Sequence, residues 1–194
     1  MGEPSPWVVR WSALIAPGAS VLDLAAGSGR HTTWLARRGC RVTAVDRDAE
    51  AMRALSDCAE VVVADLESGP WPFEGRRFDA VVVTNYLWRP LLPRLVAALA
   101  DGGVIVYETF TAGQETVGRP VRPDFLLARG ELLEAMRGLR IVAFEDGFLT
   151  DPERFVQRIV AVREIASAAP ARLLLDASAD QLGSVESFDS GTRE

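Results

Sequence analysis

The chain is 194 residues long, with 48% hydrophobic and 25% charged residues and a formal net charge of -6. That length suits one domain with a short appendage, and the acidic balance argues against a general nucleic-acid binder, which carries a basic footprint. All 21 basic residues are arginine, which excludes Schiff-base chemistry, a P-loop lysine and a lysine general base.

No apolar run nears the roughly 20 residues of a membrane helix. The opening MGEPSPWVV holds an acid and two prolines, unlike a signal peptide. A cytoplasmic protein without a membrane partner is expected. Cys40 and Cys58 stand before or within apolar runs, so both are expected to be small buried residues. With one histidine, His31, and no CxxC pattern, a multi-histidine metal site is excluded and a Ser-His-Asp triad has little room.

Ser5-Pro6 suits a helix start, Ser as cap and Pro at the first position. Trp7, Val8, Trp11, Leu14 and Ile15 then share one helical face, and Pro17-Gly18 stops it. This helix either packs on the domain edge or covers a ligand. Strands are expected at Ser20–Leu24, Arg41–Asp46, Glu60–Asp65, Phe78–Thr84 and Val104–Phe110. Helices are expected at Gly29–Arg38, Ala49–Asp57 and Pro90–Ala100, the last stopped by Asp101-Gly102-Gly103. Valine-rich strands alternating with helices imply a doubly wound α/β fold with a parallel sheet.

The pattern then changes. Residues 111–129 form a long irregular segment, Glu131–Arg137 a short helix, and Leu139–Phe148 and Arg154–Arg163 two strands. The linking LTDPE is too short for a helical crossover, so these strands should pair antiparallel. Residues 166–194 read as a tail, with one or two helical turns at Arg172–Leu175 and disorder at the end.

LDLAAGSGRH joins the first strand to its helix. Glycines there allow positive φ and close backbone approach, and the helix start offers free N–H groups. Asp46 ends the second strand, where a carboxylate can accept from ribose hydroxyls. Asp65 follows the third, where it can accept from an adenine amine or simply cap the next turn. Thr84 and Asn85 end the fourth. Ligands of such sheets bind outside these strand ends. A dinucleotide fingerprint needs a third glycine, but Thr32 stands there. Asp23, four residues before Gly27, is awkward beside a pyrophosphate and suits a ligand bearing an ammonium group.

LDLAAGSG resembles motif I of the class I S-adenosylmethionine-dependent methyltransferases, with Ala25 at the first glycine position. The likeness runs from about Ser5 to Glu164 and is greatest to small single-domain bacterial enzymes of the tellurite-resistance type. It implies a seven-stranded Rossmann-like sheet of order 3-2-1-4-5-7-6 with an antiparallel last strand, filling residues 1–165. S-adenosyl-L-methionine is the implied cofactor. Asp23 would organise the turn around its methionine end, and Ala25, Gly27, Ser28 and Gly29 would bring main chain close. Asp46 would hold the ribose hydroxyls and Asp65 the adenine amine, Arg47 and Leu66 would also belong to the cofactor site, and Asn85 would lie near the methionine moiety or the reacting methyl. Arg30 and His31 either reach the ligand or sit on the helix surface.

Methyl transfer chiefly requires alignment of the acceptor with the methyl carbon, so motif I names no catalytic residue. Candidates for a base are Tyr86, Tyr107 and Glu108. Trp88, Arg89 and Arg119 are candidates for acceptor binding, in loops following the fourth and fifth strands. Such aromatics and arginines are equally consistent with packing and solvated surface. The expected reaction is methyl transfer to a small molecule, without nucleic acid or metal. Rival readings are a non-catalytic S-adenosylmethionine-binding regulator or scaffold, an NAD(P)-dependent oxidoreductase and an RNA methyltransferase.

Overall fold

The computed structural model describes residues 2–165, together with Leu173 and Leu175. Helix α1 (Pro6–Trp11) begins as its sequence requires: the Ser5 hydroxyl accepts from the Trp7 N–H at 3.2 Å, with Pro6 at the first position. A single 3-10 turn, Ser12–Leu14, extends it. The remaining elements are β1 (Ser20–Leu24), α2 (Arg30–Arg37), β2 (Arg41–Asp46), α3 (Ala49–Arg53) and β3 (Glu60–Val63). They are followed by β4 (Phe78–Thr84), α4 (Leu92–Ala97), β5 (Leu99–Phe110), α5 (Glu131–Ala135), β6 (Arg140–Thr150) and β7 (Glu153–Val162).

All seven strands form one sheet of order β3-β2-β1-β4-β5-β7-β6. The first five are parallel, while β7 runs antiparallel to both β5 and β6. The short LTDPE link makes this ending, because β6 and β7 can only form a hairpin. Alternate residues of β4 serve two cores, as period-2 geometry demands. Val81 and Val83 pack with Leu92, Leu95 and Leu132 on one face. Ala80 and Val82 pack with Trp7, Val8, Trp11 and Leu35 on the other. Helix α1 packs on this sheet face, where its tryptophans fill the second core.

Three expectations are corrected. The helix expected to reach Ala100 ends at Ala97, and β5 begins at Leu99 instead of Val104. Phe78 pairs with Leu99, and the register then shifts between Phe78 and Ala80 to absorb Asp101-Gly102-Gly103. A Cβ on Gly103 would lie 2.8 Å from the Ala100 carbonyl oxygen, so only glycine passes this bulge. Cys58 is exposed while Cys40 is buried. Cys58 leads into β3, the edge strand, where no further strand covers it. The helix expected over Ala49–Asp57 stops at Arg53, and turns fill the remainder. The expected tail helix and terminal disorder lie outside the described residues, apart from Leu173 and Leu175.

Candidate cofactor cleft

Four successive parallel strands deliver residues to one cleft at their carboxyl ends. Ala25 follows β1, Asp46 and Arg47 close β2, Ala64 to Glu67 follow β3, and Asn85 and Tyr86 follow β4. Together they line a cleft of about 310 Å³. Its position where the strand order reverses, with β1 flanked by β2 and β4, is where open α/β sheets hold ligands.

Three left-handed residues build the turn beneath it, and a fourth, Asn85, follows β4. Gly27 has φ 54° and Gly29 φ 75°, and the non-glycines Ala25 and Asn85 have φ 53° and 55°. Left-handed backbone costs an L-residue roughly 1–2 kcal/mol, so the alanine at the first glycine position carries strain. Asp46 fixes this turn to the next one. Its Oδ2 accepts from the Gly27 N–H at 2.9 Å and its Oδ1 from the Asp48 N–H at 3.0 Å. Each oxygen retains a lone pair, since a carboxylate has about four acceptor positions.

Asp23 acts from below. It is 1% exposed, and its Oδ2 accepts from the Thr32 hydroxyl at 2.6 Å. Thr32 is the residue at the third glycine position, so this departure gives the buried acid its partner. Burial pushes the Asp23 carboxyl up to about 6, opposed by the Thr32 hydrogen bonds. The contact of Asp23 is with the chain itself. Ser28, Gly29 and Asp23 shape the turn without lining the cleft. Asp65 lines the cleft and also caps a turn. Its oxygens accept from the Ser68 hydroxyl and the N–H groups of Glu67 and Ser68. These bonds, led by the hydroxyl, hold its pKa below the ordinary range.

Of the three candidate bases, Tyr86 lies in the cleft. Its hydroxyl is buried without a hydrogen-bond partner among the described residues. Burial, then the charges of Glu67, Asp65 and Asp46, push its pKa upward. Tyr107 is instead in the core, where its hydroxyl donates to the Tyr86 carbonyl at 2.8 Å. Glu108 is wholly buried on the other face of the sheet, accepting from Ser5 at 3.0 Å and Arg158 at 3.3 Å, with Arg154 at 3.7 Å. Neither belongs to the cleft. Strand alternation separates them, but sequence alone does not say which face is open.

His31 is neither on the helix surface nor in the cleft. It is 2% exposed, and its Nε2 accepts from the Ser5 N–H at 3.0 Å. That assigns the proton to Nδ1, which faces the Thr84 hydroxyl at 3.4 Å. Burial lowers its pKa to about 4. Arg30 reaches back to the Glu3 carbonyl at 3.4 Å.

A smaller hollow of about 180 Å³ adjoins the cleft. It shares Glu67, Asn85 and Tyr86 with it and adds Leu87, Thr109, Phe110, Pro120 and Phe125. Trp88 and Arg89 line a third hollow beside Arg122, Asp124, Phe125 and again Glu67. Arg119 is exposed and lines none of these three. Glu67 and Phe125 were missed by sequence reasoning. Glu67, two residues after Asp65 at a strand end, had a positional signal; Phe125, inside an irregular loop, had none.

Comparison with known proteins agrees with this geometry. Residues 21–103 match the family model described as a methyltransferase domain. Trans-aconitate 2-methyltransferase of Paracidovorax citrulli is 34% identical over 119 residues, covering 56% of this chain and 45% of that protein. Demethylmenaquinone methyltransferase of Corynebacterium urealyticum is 31% identical over 154 residues, covering 77% and 62%. The chain therefore spans about half the length of these curated relatives. TehB from Haemophilus influenzae shares the fold at a TM-score of 0.68 and 20% identity, covering 83% of this chain and 63% of its own.

Proposed function

On the premise that the chain carries a methyltransferase-family domain and the class I methyltransferase fold, we propose that it transfers a methyl group from S-adenosyl-L-methionine to a small molecule. The observation that carries this reading is the cleft itself. Four consecutive strand ends place Ala25, Asp46, Asp65, Asn85 and Tyr86 around one space, with a left-handed turn beneath it.

The residues fit that donor. The two Asp46 oxygens, each with a lone pair spare after bonding main chain, suit a ribose diol. Asp65, Leu66 and the buried Tyr86 hydroxyl form the opposite wall, where an adenine would lie. The turn of Ala25, Gly27 and Gly29, braced by Asp23 through Thr32, brings main chain to the methionine end, with Asn85 facing it. When bound, S-adenosylmethionine supplies a methyl group already activated on a sulfonium.

Alignment is then the main task of the protein. The acceptor lone pair forms the new bond to the methyl carbon as the carbon–sulfur bond breaks, its electron pair passing to sulfur. A proton carried by the acceptor leaves to water. Tyr86 keeps its own proton, because burial and nearby carboxylates oppose ionisation. It therefore orients a ligand as a hydrogen-bond donor. The adjoining hollow, which shares Tyr86, Asn85 and Glu67 with the cleft, is the acceptor pocket.

The test is retention of methyl-labelled S-adenosylmethionine by the full chain, followed by an acceptor screen. Transfer of label to a small molecule supports the reading. Retention without transfer to any small molecule or RNA would make the chain a non-catalytic binder. Failure to retain the donor would refute the assignment of the cleft.

A further inference from the structure

The acceptor hollow is unusually poor in positive charge for a chain whose basic residues are all arginine. Its walls are Leu87, Thr109, Phe110, Pro120 and Phe125, with Asn85 and Tyr86 at the junction and Glu67 as the sole charged group among the described residues. The two arginines of the hollow beside Trp88, Arg89 and Arg122, are already committed. Arg89 donates to both Glu131 oxygens at 2.7 and 2.9 Å, and to the carbonyls of Asp124 and Leu126 at 2.8 and 2.7 Å. Arg122 pairs with Asp124 at 2.8 Å and lies over the Phe125 ring at 5.1 Å.

An anionic acceptor would therefore lose water in a hollow whose lining offers no arginine, while meeting Glu67. Burying a charge without a partner is among the costliest moves available. The ring faces of Tyr86, Phe110 and Phe125, with Pro120, suit a flat apolar body. At about 180 Å³, the hollow is smaller than the ~300 Å³ at which drug-sized pockets begin, which limits the occupant to one or two rings. Glu67, the residue common to all three hollows, offers an acceptor to an N–H or O–H group.

We infer that the methyl acceptor is a small planar ring compound, neutral or cationic, bearing an N–H or O–H group directed at Glu67 and no carboxylate or phosphate. This rests on the assignment of the adjoining cleft to the methyl donor. It sets this chain apart from a tricarboxylate methyltransferase such as its trans-aconitate relative, and from enzymes acting on polyanionic RNA. Leaving a like charge in the pocket excludes such molecules more sharply than any added contact would select the right one.

Ligand-observed NMR on the full chain, with and without S-adenosylhomocysteine, tests this with matched probes. The probes are 5-hydroxyindole against 5-hydroxyindole-2-carboxylate, and 6-aminoquinoline against quinoline-6-carboxylate. Each uncharged member should bind about fivefold or more tightly than its carboxylate, a difference of about 1 kcal/mol. Glu67→Gln should shrink that gap to about twofold, and Phe125→Ala should weaken all four probes. Equal or tighter binding of the carboxylates would overturn the inference, as would no binding of either uncharged probe or an unchanged gap in Glu67→Gln. A chain that shows this preference but does not bind S-adenosylhomocysteine would overturn the cofactor assignment instead.

Discussion

Glu108 and Asp46 are both carboxylates near the carboxyl end of a parallel strand, and they lead opposite lives. Glu108 lies on the face covered by α1, where Ser5, Arg154 and Arg158 occupy its oxygens and the side chain is wholly buried. Trp7 closes this cluster, its ring 4.7 Å from the Arg158 guanidinium. Asp46 opens onto the cleft with acceptor capacity left over, beside a Tyr86 hydroxyl that has no partner among the described residues. The contrast teaches that a polar residue at a strand end is read by its unfilled hydrogen bonds more than by its position. The filled cluster pins the N-terminal segment to the sheet, and the unfilled one suits the ligand proposed for the cleft.

The largest effect should come from emptying the filled side. Glu108→Ala leaves Arg154 and Arg158 without their buried acid, a loss of about 3–5 kcal/mol. Urea unfolding would read it, while S-adenosylhomocysteine affinity of the folded fraction should stay within about twofold. A collapse of affinity without loss of stability would place Glu108 in the ligand site and erase the contrast.

Acid titration sharpens the comparison next. His31 is held neutral with a pKa of about 4, below its unfolded value of 6.5, so the unfolded chain binds the proton first. It removes about 3 kcal/mol of stability as pH falls from 6.5 to 4. Asp23 acts with the opposite sign. Its pKa of about 6 lies above its unfolded value of 3.8, so its protonated form adds stability below that window, which is lost as pH rises from 4 to 6. Relative to wild type between these limits, stability should rise more steeply with pH in Asp23→Asn and less steeply in His31→Gln. Parallel curves for all three proteins would refute both assignments.

On the open side, Asp46→Ala should weaken S-adenosylhomocysteine binding by about 1.5–3 kcal/mol, the range for hydrogen bonds to a charged group. Unchanged calorimetric affinity would mean that Asp46 only braces the turn. The smallest effect is expected at the strained alanine. Ala25→Gly relieves left-handed backbone and should raise stability by about 1 kcal/mol or less, because glycine also frees the unfolded chain. A destabilised variant would show that the Ala25 methyl packs usefully.

Much of this architecture was legible in the sequence, for definite reasons. Valine-rich runs bounded by glycine gave β1, β2 and β4 to the residue, since both faces of those strands are buried and the signal is uninterrupted. The LTDPE link announced the antiparallel hairpin. The start of β5 was hidden because Asp101-Gly102-Gly103 looks like a helix stop, whereas pairing of Leu99 with Phe78 makes it a bulge. At the site, glycine spacing and strand-end acids located the cleft. The fates of Glu108, Tyr107 and His31 were not legible, because they depend on which face α1 covers and on contacts such as Ser5 to Glu108, 103 residues apart in sequence.

One titration addresses the central claim most directly. Isothermal calorimetry of the full chain against S-adenosylhomocysteine and NAD in parallel should show one-to-one binding of the first and none of the second. Replacing Tyr86 by phenylalanine should weaken that binding by about 1 kcal/mol, without loss of stability, since its hydroxyl has no partner among the described residues to lose. Binding of NAD alone, or S-adenosylhomocysteine affinity indifferent to both Asp46→Ala and Tyr86→Phe, would contradict the account.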